Sequence, residues 1–258
     1  MQPRKLKVGL FVGGTIDQFC PQTGEKLKKL LLSEGIACHY ATDVTDSGRL
    51  LYFAGDENSA RSLSKQMLKY YADDDYVVAA DSSDVAYFRH FASRLFRDAA
   101  QMEAYESLCR RFVHITDFLV GVLDYRPAVV PFVHKVAVMD HCTTLRDYGR
   151  TILGSKDSSV REGLQDEPRQ LLKAIPSLTL AEMEQREVCC GQADFFPNRF
   201  TPVAVELAHL KVQHALDAGA EYLVSTESSC ILRLGAYCAK HGIPLKCKHI
   251  IDVLGRRM

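Results

Sequence analysis

The sequence predicts an α/β protein built as two tandem, pseudo-symmetric βαβ-type repeats with mainly parallel sheets. Three observations carry that expectation. Apolar runs of strand length alternate with segments of helical apolar spacing, the pattern of parallel βαβ units. The order of these segments restarts after residue 131. Four cysteines, Cys142, Cys189, Cys190 and Cys230, fall at strand ends of the second pass alone.

The first pass opens with residues 7–12 (Lys-Val-Gly-Leu-Phe-Val), a β-favourable run that stops at Gly13-Gly14 and reads as a buried strand entering a turn. Residues 24–35 have helical spacing through Leu27, Leu30 and Leu31, with Gly35 as the C-cap. Residues 37–40 form a second strand and 45–48 (Thr-Asp-Ser-Gly) a turn. Residues 58–71 read as an amphipathic helix with Leu63, Met67 and Leu68 facing inward. Residues 76–80 are another strand, ended by Asp81-Ser82-Ser83-Asp84. Helical segments follow over 91–96 and 102–123, and residues 125–131 are a linker.

The second pass repeats this order. Residues 135–143 lie over 7–15, residues 188–191 over 45–48, residues 204–218 over 58–71 and residues 222–230 over 76–84. The offset grows from 128 (135 minus 7) to 146 (222 minus 76), as inserted loops produce, and the Ser- and charge-rich residues 155–166 are the expected insertion. The expected domains are residues 1–124 and 132–258.

Composition bounds the function. The 258 residues are 47% hydrophobic and 25% charged, enough for a sizeable core in one large or two small domains. Lys+Arg and Asp+Glu balance at 32 each, which argues against a nucleic-acid partner. No apolar run is long enough to cross a bilayer and no signal-peptide pattern opens the chain, so the expected location is cytoplasmic, without membrane insertion. Nine cysteines, an odd number without a secretion signal, argue against a disulfide framework and leave buried thiols or metal ligands.

The repeat sharpens the cysteine reading. Where the second pass holds Cys142, Cys189, Cys190 and Cys230, the first holds Gly14, Asp46, Ser47 and Asp84. Each cysteine sits at the carboxyl end of a predicted strand or in the turn after it, and in an open parallel sheet those ends gather in one crevice. Four converging thiolates suit an iron–sulfur cluster or zinc. Adjacent cysteines, unlike the Cys-x-x-Cys knuckles of zinc sites, tilt the choice toward iron. Gly191 would let the backbone pass close to the metal, and N–H groups of the turn can donate to sulfur.

Other groups are weighed against plainer roles. Gly13-Gly14 could bind phosphate, but the motif lacks its later glycine and reads as a structural turn. Cys20, Cys38, Cys109, Cys238 and Cys247 read as ordinary thiols. His141 is a donor to a ligand sulfur or a surface histidine. Arg146 offsets the charge of a thiolate-bound centre or is a solvated helix residue. Asp46 and Asp84 read as solvated turn residues, with a carboxylate pair for a hard cation as the alternative. Asp73-Asp74-Asp75 reads as a solvated helix end.

The Cys…Cys-Cys-Gly…Cys pattern resembles the cysteine-rich CCG domain, found in tandem in heterodisulfide reductases and in the iron–sulfur subunits of glycolate and glycerol-3-phosphate oxidation. The closer resemblance is to the lactate-utilisation protein A family (LutA/YkgE, also LldE). It is carried by residues 7–12, the segment Cys142-Thr143-Thr144-Leu145-Arg146, Cys189-Cys190-Gly191, residues 219–224 and residues 249–254. It implies two CCG repeats, the first degenerate. It also implies a cytoplasmic iron–sulfur electron-transfer subunit of an L-lactate (2-hydroxy acid) oxidation complex, an oxidoreductase subunit not catalytic alone. The implied partners are a ferredoxin-like iron–sulfur subunit and a third protein. The implied cofactor is a [4Fe–4S] cluster on Cys142, Cys189, Cys190 and Cys230, with zinc as the alternative. Three departures stand out: Gln192-Ala193-Asp194 replaces a glycine-rich continuation, Thr143 a frequent histidine, and Arg233 the extra cysteine of heterodisulfide reductases. The last argues against a noncubane cluster. Alternative readings are a zinc-stabilised, non-redox assembly or regulatory subunit, a heterodisulfide-reductase-like thiol/disulfide subunit, and a nucleotide-binding α/β enzyme with incidental cysteines.

Overall fold

Buried aliphatic runs too short for helices organise both halves of the chain into parallel sheets. The computed structural model describes residues 6–127, 130–142, 166–186 and 188–255. The chain divides into two compact units, the first running to Phe118 and the second starting at Leu119.

In the first unit, β1 (Val8–Phe11), β2 (Cys38–Tyr40), β3 (Tyr76–Ala79) and β4 (Phe112–His114) form one sheet in the order β2-β1-β3-β4. Every pairing is parallel, with Val8 opposite both Cys38 and Tyr76 and Ala79 opposite His114. All four residues of β1 are buried, as a central strand covered on both faces requires. Helix Pro21–Ser33 buries Thr23, Leu27, Leu30 and Leu31. Helix Glu57–Tyr70 starts at Asp56, whose carboxylate accepts from the Ser59 N–H at 3.1 Å, and buries Ala60, Ser64 and Met67. Leu63 and Leu68, expected inside, are only half buried; the buried face is instead that of Ala60, Ser64 and Met67.

The second unit repeats the plan. β5 (Lys135–Met139), β6 (Thr179–Ala181), β7 (Tyr222–Ser225) and β8 (Lys246–His249) take the order β6-β5-β7-β8, again parallel throughout. The registers coincide under the offsets read from the sequence: Val8 opposite Tyr76 becomes Val136 opposite Tyr222. Helix Thr201–Asp217 is the counterpart of Glu57–Tyr70.

Three strands, β4, β6 and β8, were not expected. The stretch 102–123, expected as helix, is helix Ala99–Arg111, strand β4 and helix Ile115–Gly121 in direct succession. Residues 91–96 hold a 3₁₀ turn over Ala92–Leu95 rather than a helix. The expected inserted loop lies outside the described residues except for Asp166. Among the described residues no helix is long and apolar enough to cross a membrane.

Candidate metal centre

Cys142 follows β5 by three residues, through Asp140 and His141. Arg169, on helix Glu167–Lys173, fixes that exit. Its guanidinium donates to both Asp140 oxygens at 2.8 and 2.9 Å, to Asp166 at 2.6 Å and to the Val138 carbonyl at 3.3 Å. Cys230 lies in the first turn of helix Ser228–His241, which starts just beyond β7. Cys189 and Cys190 occupy the turn that precedes the short helix Phe196–Arg199, which leads into helix Thr201–Asp217.

Gly191 closes that turn, and the neighbour it makes room for is a helix backbone. Its φ is +79°, and a Cβ there would overlap the Ala204 carbonyl oxygen and stand 3.1 Å from the Ala204 Cα. The first unit repeats the device: Gly48 has φ +89°, and a Cβ would lie 2.8 Å from the Ala60 carbonyl oxygen. In both units glycine lets a left-handed turn lie directly against a helix backbone.

The four thiols form a chain of contacts. Cys142 hydrogen-bonds Cys189, Cys189 touches Cys190, and Cys190 Sγ donates to Cys230 Sγ at 2.8 Å. The Gly191 N–H donates to Cys189 Sγ at 3.3 Å. His141 is buried, not on the surface; its Nε2 lies 4.0 Å from Cys142 Sγ, and the ring also hydrogen-bonds Cys230. Cys190 and Cys230 are buried, whereas Cys142 and Cys189 are half buried.

This crowding separates the thiols electrostatically. Hydrogen bonds from Cys142, then from Cys190 and the Gly191 N–H, pull Cys189 well below an ordinary thiol, against the cost of burial. A hydrogen bond from Cys190 and the nearby His141 bring Cys230 down to about 7. Cys190, which stabilises both neighbouring anions, is pushed up, and its burial adds to the rise. The contacts therefore favour ionisation at Cys189 and Cys230, and thiolate is the form that binds soft metals.

The first unit builds the same contacts from other chemistry. Ser47 Oγ donates to Asp84 Oδ1 at 2.6 Å, where the second unit pairs Cys190 with Cys230. The Gly48 N–H donates to Asp46 Oδ1 at 2.7 Å, where the second unit has Gly191 and Cys189. A Cβ on Gly14 would lie 3.5 Å from Asp46 Oδ2, in the place of the Cys142–Cys189 contact. Asp84 is buried, not solvated; burial pushes its carboxyl up to about 8, with Arg49 Nε 3.8 Å away as a partial offset. Its Oδ2 would lie 2.7 Å from a Gly13 Cβ, so a carboxylate fills the turn considered for phosphate. Asp74, also expected in solvent, is buried and accepts from His39 Nε2 at 2.8 Å.

The structure thus brings all four expected ligands together. Arg146 lies outside the described residues. Among the remaining thiols, Cys109 donates to the Phe88 carbonyl at 3.4 Å, and Cys238 is buried beside Cys247 in the core that also holds Cys190 and Cys230. Two further histidines, the second within the segment 249–254 that carries the resemblance, cap the ends of strands. His114 ends β4 and its Nδ1 accepts from the Thr116 N–H at 3.2 Å; His249 ends β8 and accepts from the Ile251 N–H at 3.3 Å. The signal was present as His-Ile-Thr-Asp-Phe-Leu at 114–119 and His-Ile-Ile-Asp-Val-Leu at 249–254.

The donor chemistry fits a thiophilic metal or an iron–sulfur cluster: four cysteine sulfurs, two of them buried, on strand ends and turns. Two sulfurs on one tetrahedral zinc, each about 2.3 Å from it, stand about 3.8 Å apart, wider than the 2.8 Å between Cys190 and Cys230. Accordingly, no group of three or more His, Cys, Asp or Glu among the described residues is arranged to hold a metal ion.

Comparison with known proteins agrees with the half of the chain that carries the thiols. The family model for the CCG cysteine-rich domain matches residues 156–235, which include Cys189, Cys190 and Cys230. Lactate utilization protein A of Halalkalibacterium halodurans is 26% identical over 252 residues, covering 98% of each chain. Its namesake in Geobacillus kaustophilus is 27% identical over 252 residues, covering 98% of this chain and 100% of that one. Among solved structures, Picrophilus torridus aspartate racemase covers 98% of this chain and 92% of its own at 12% identity, with a TM-score of 0.38, too low to support a shared fold. Residues 156–235 thus resemble the cysteine-rich CCG domain, and nearly the whole chain is similar to lactate utilization protein A.

Proposed function

We propose that the chain is an iron–sulfur electron-transfer subunit of an L-lactate (2-hydroxy acid) oxidation complex. The observation that carries this reading is the contact chain Cys142–Cys189–Cys190–Cys230 at the carboxyl ends of a parallel sheet. The relatives' name supplies lactate use, and the CCG domain supplies the cysteine-rich chemistry. The partners in this reading are a lactate-oxidising iron–sulfur subunit and a third protein, and the setting is the cytoplasm.

Cys142, Cys189, Cys190 and Cys230 would hold a [4Fe–4S] cluster, which when bound takes up and returns one electron at a time. The chain's own groups prepare that role. The Gly191 N–H donates to the Cys189 sulfur, the kind of contact that tunes a centre's potential. Buried Cys190 and Cys230 keep water from one side. Arg169 holds Asp140, and through it the segment that carries His141 and Cys142.

Metal analysis on protein purified without oxygen tests the reading. About four iron per chain with broad visible absorption is expected. Zinc near one per chain without colour would replace it with a structural, non-redox role, a reading favoured by the closed Ser47–Asp84 pair, which leaves no second centre for a relay.

A further inference from the structure

We propose that Cys190 and Cys230 form a disulfide in the metal-free chain under peroxide, and that this bond closes the centre to metal. Their sulfurs stand 2.8 Å apart, about 0.8 Å beyond a disulfide bond. Both are free thiols, and both are buried, at 3% and 1% exposure. The first unit shows that their proximity belongs to the fold rather than to a metal. Ser47 and Asp84, at the same two positions, meet at 2.6 Å with no sulfur between them. In both units the turn carrying Ser47 or Cys190 meets the first turn of the helix after the third strand, while Gly48 and Gly191 let the same turn lie on the backbone of a different helix.

The chemistry needs only a peroxide. One sulfur of the pair attacks a peroxide oxygen, the O–O bond breaks, and hydroxide leaves to become water. The resulting sulfenic acid is attacked by the second sulfur, the S–O bond breaks, and a second water leaves. Two thiol hydrogens and two electrons pass to one peroxide. The bond removes two of the four sulfurs that the centre needs, and thiol reductants restore them.

The test uses the full chain, stripped of metal by chelation under reductant and then freed of both without oxygen. It is treated with one equivalent of hydrogen peroxide, alkylated and mapped by mass spectrometry. The expected map links the peptides carrying Cys190 and Cys230, and free thiols fall by two from nine. Dithiothreitol should reverse the link, and zinc uptake should be lost after oxidation and regained after reduction. A map in which both residues remain alkylated, or in which either is linked to Cys142 or Cys189, overturns the proposal. Equal zinc uptake before and after oxidation overturns the closing role. The wild-type map decides without any variant. Iron uptake by the reduced chain is scored separately, so a failure of the cluster reading stays distinct from a failure of the disulfide.

Discussion

Gly191 and Gly242 share a left-handed backbone, with φ +79° and +64°, yet only one of them has a neighbour in the way of a side chain. Nothing lies within 4 Å of a Cβ at Gly242, whereas at Gly191 the Ala204 backbone blocks it. Gly242→Ala should therefore cost only backbone strain, about 1 kcal/mol. Gly191→Ala must in addition push the turn off its helix and should cost at least about twice as much. Urea unfolding of the two variants separates them, and equal costs would mean that the turn–helix contact is not tight. Asp84 supplies a second residue-scale prediction. Its folded pKa, about 8, lies above that of an unfolded carboxyl. The folded state therefore binds the proton more tightly, and the associated stability is full below about pH 4. It is lost as pH rises toward 8. Asp84→Asn removes the charge while keeping an acceptor for Ser47. The variant should gain on the wild type as unfolding midpoints are compared from pH 5 to pH 9. Parallel curves would show that Asp84 titrates normally.

The segment behind Cys142 depends on one side chain from another helix. Arg169 is 9% exposed and faces Asp140, itself 12% exposed, in a two-point hydrogen bond. Removing one partner of a buried pair costs about 3–5 kcal/mol, because the other charge is left stranded. Arg169→Ala should reach that range, lowered somewhat by Arg186 Nε, 3.6 Å from Asp140. Arg169→Leu combined with Asp140→Asn should cost less than Arg169→Ala alone, as denaturant titration can check. None of this was legible in the sequence, where Arg169 follows the Ser- and charge-rich stretch and pairs with a residue 29 positions away. Elements were legible in proportion to their length and isolation. β1, β3, β5 and β7 stand between turns and were found. β4 follows helix Ala99–Arg111 with no intervening residue, and three residues are too few to break a helical period visibly. β6, also three residues long, carries no apolar run of its own. The repeated His-Ile-x-Asp pattern at 114 and 249 would have exposed β4 and β8, but it was obscured by reading 102–123 as one helix.

At the scale of the whole chain, one architecture occurs twice, with thiols at its four equivalent positions in the second unit alone. Strand order and register agree between the units, and so do the contacts at four topological positions. The sequence showed the correspondence of positions but not the consequence, because Asp84 reads as a turn residue until its burial is seen. The equivalent positions of the first unit have not opened to solvent; a hydrogen bond between Ser47 and Asp84 closes them. If the positions are equivalent, the seal can be reversed by side chains alone. Gly14 has room for a Cβ at ordinary contact distance, and Asp46, Ser47 and Asp84 already occupy the other three places. Arg49, 3.8 Å from Asp84, would leave a cation beside the new thiolates and favour their ionisation. The combined Gly14→Cys, Asp46→Cys, Ser47→Cys and Asp84→Cys chain should bind about twice the metal of the wild type when both are reconstituted without oxygen. Adding Cys190→Ser should bring it back to about the wild-type amount by emptying the original centre. Circular dichroism controls for folding. A folded quadruple variant with unchanged metal content would show that the two crevices differ in more than their four side chains.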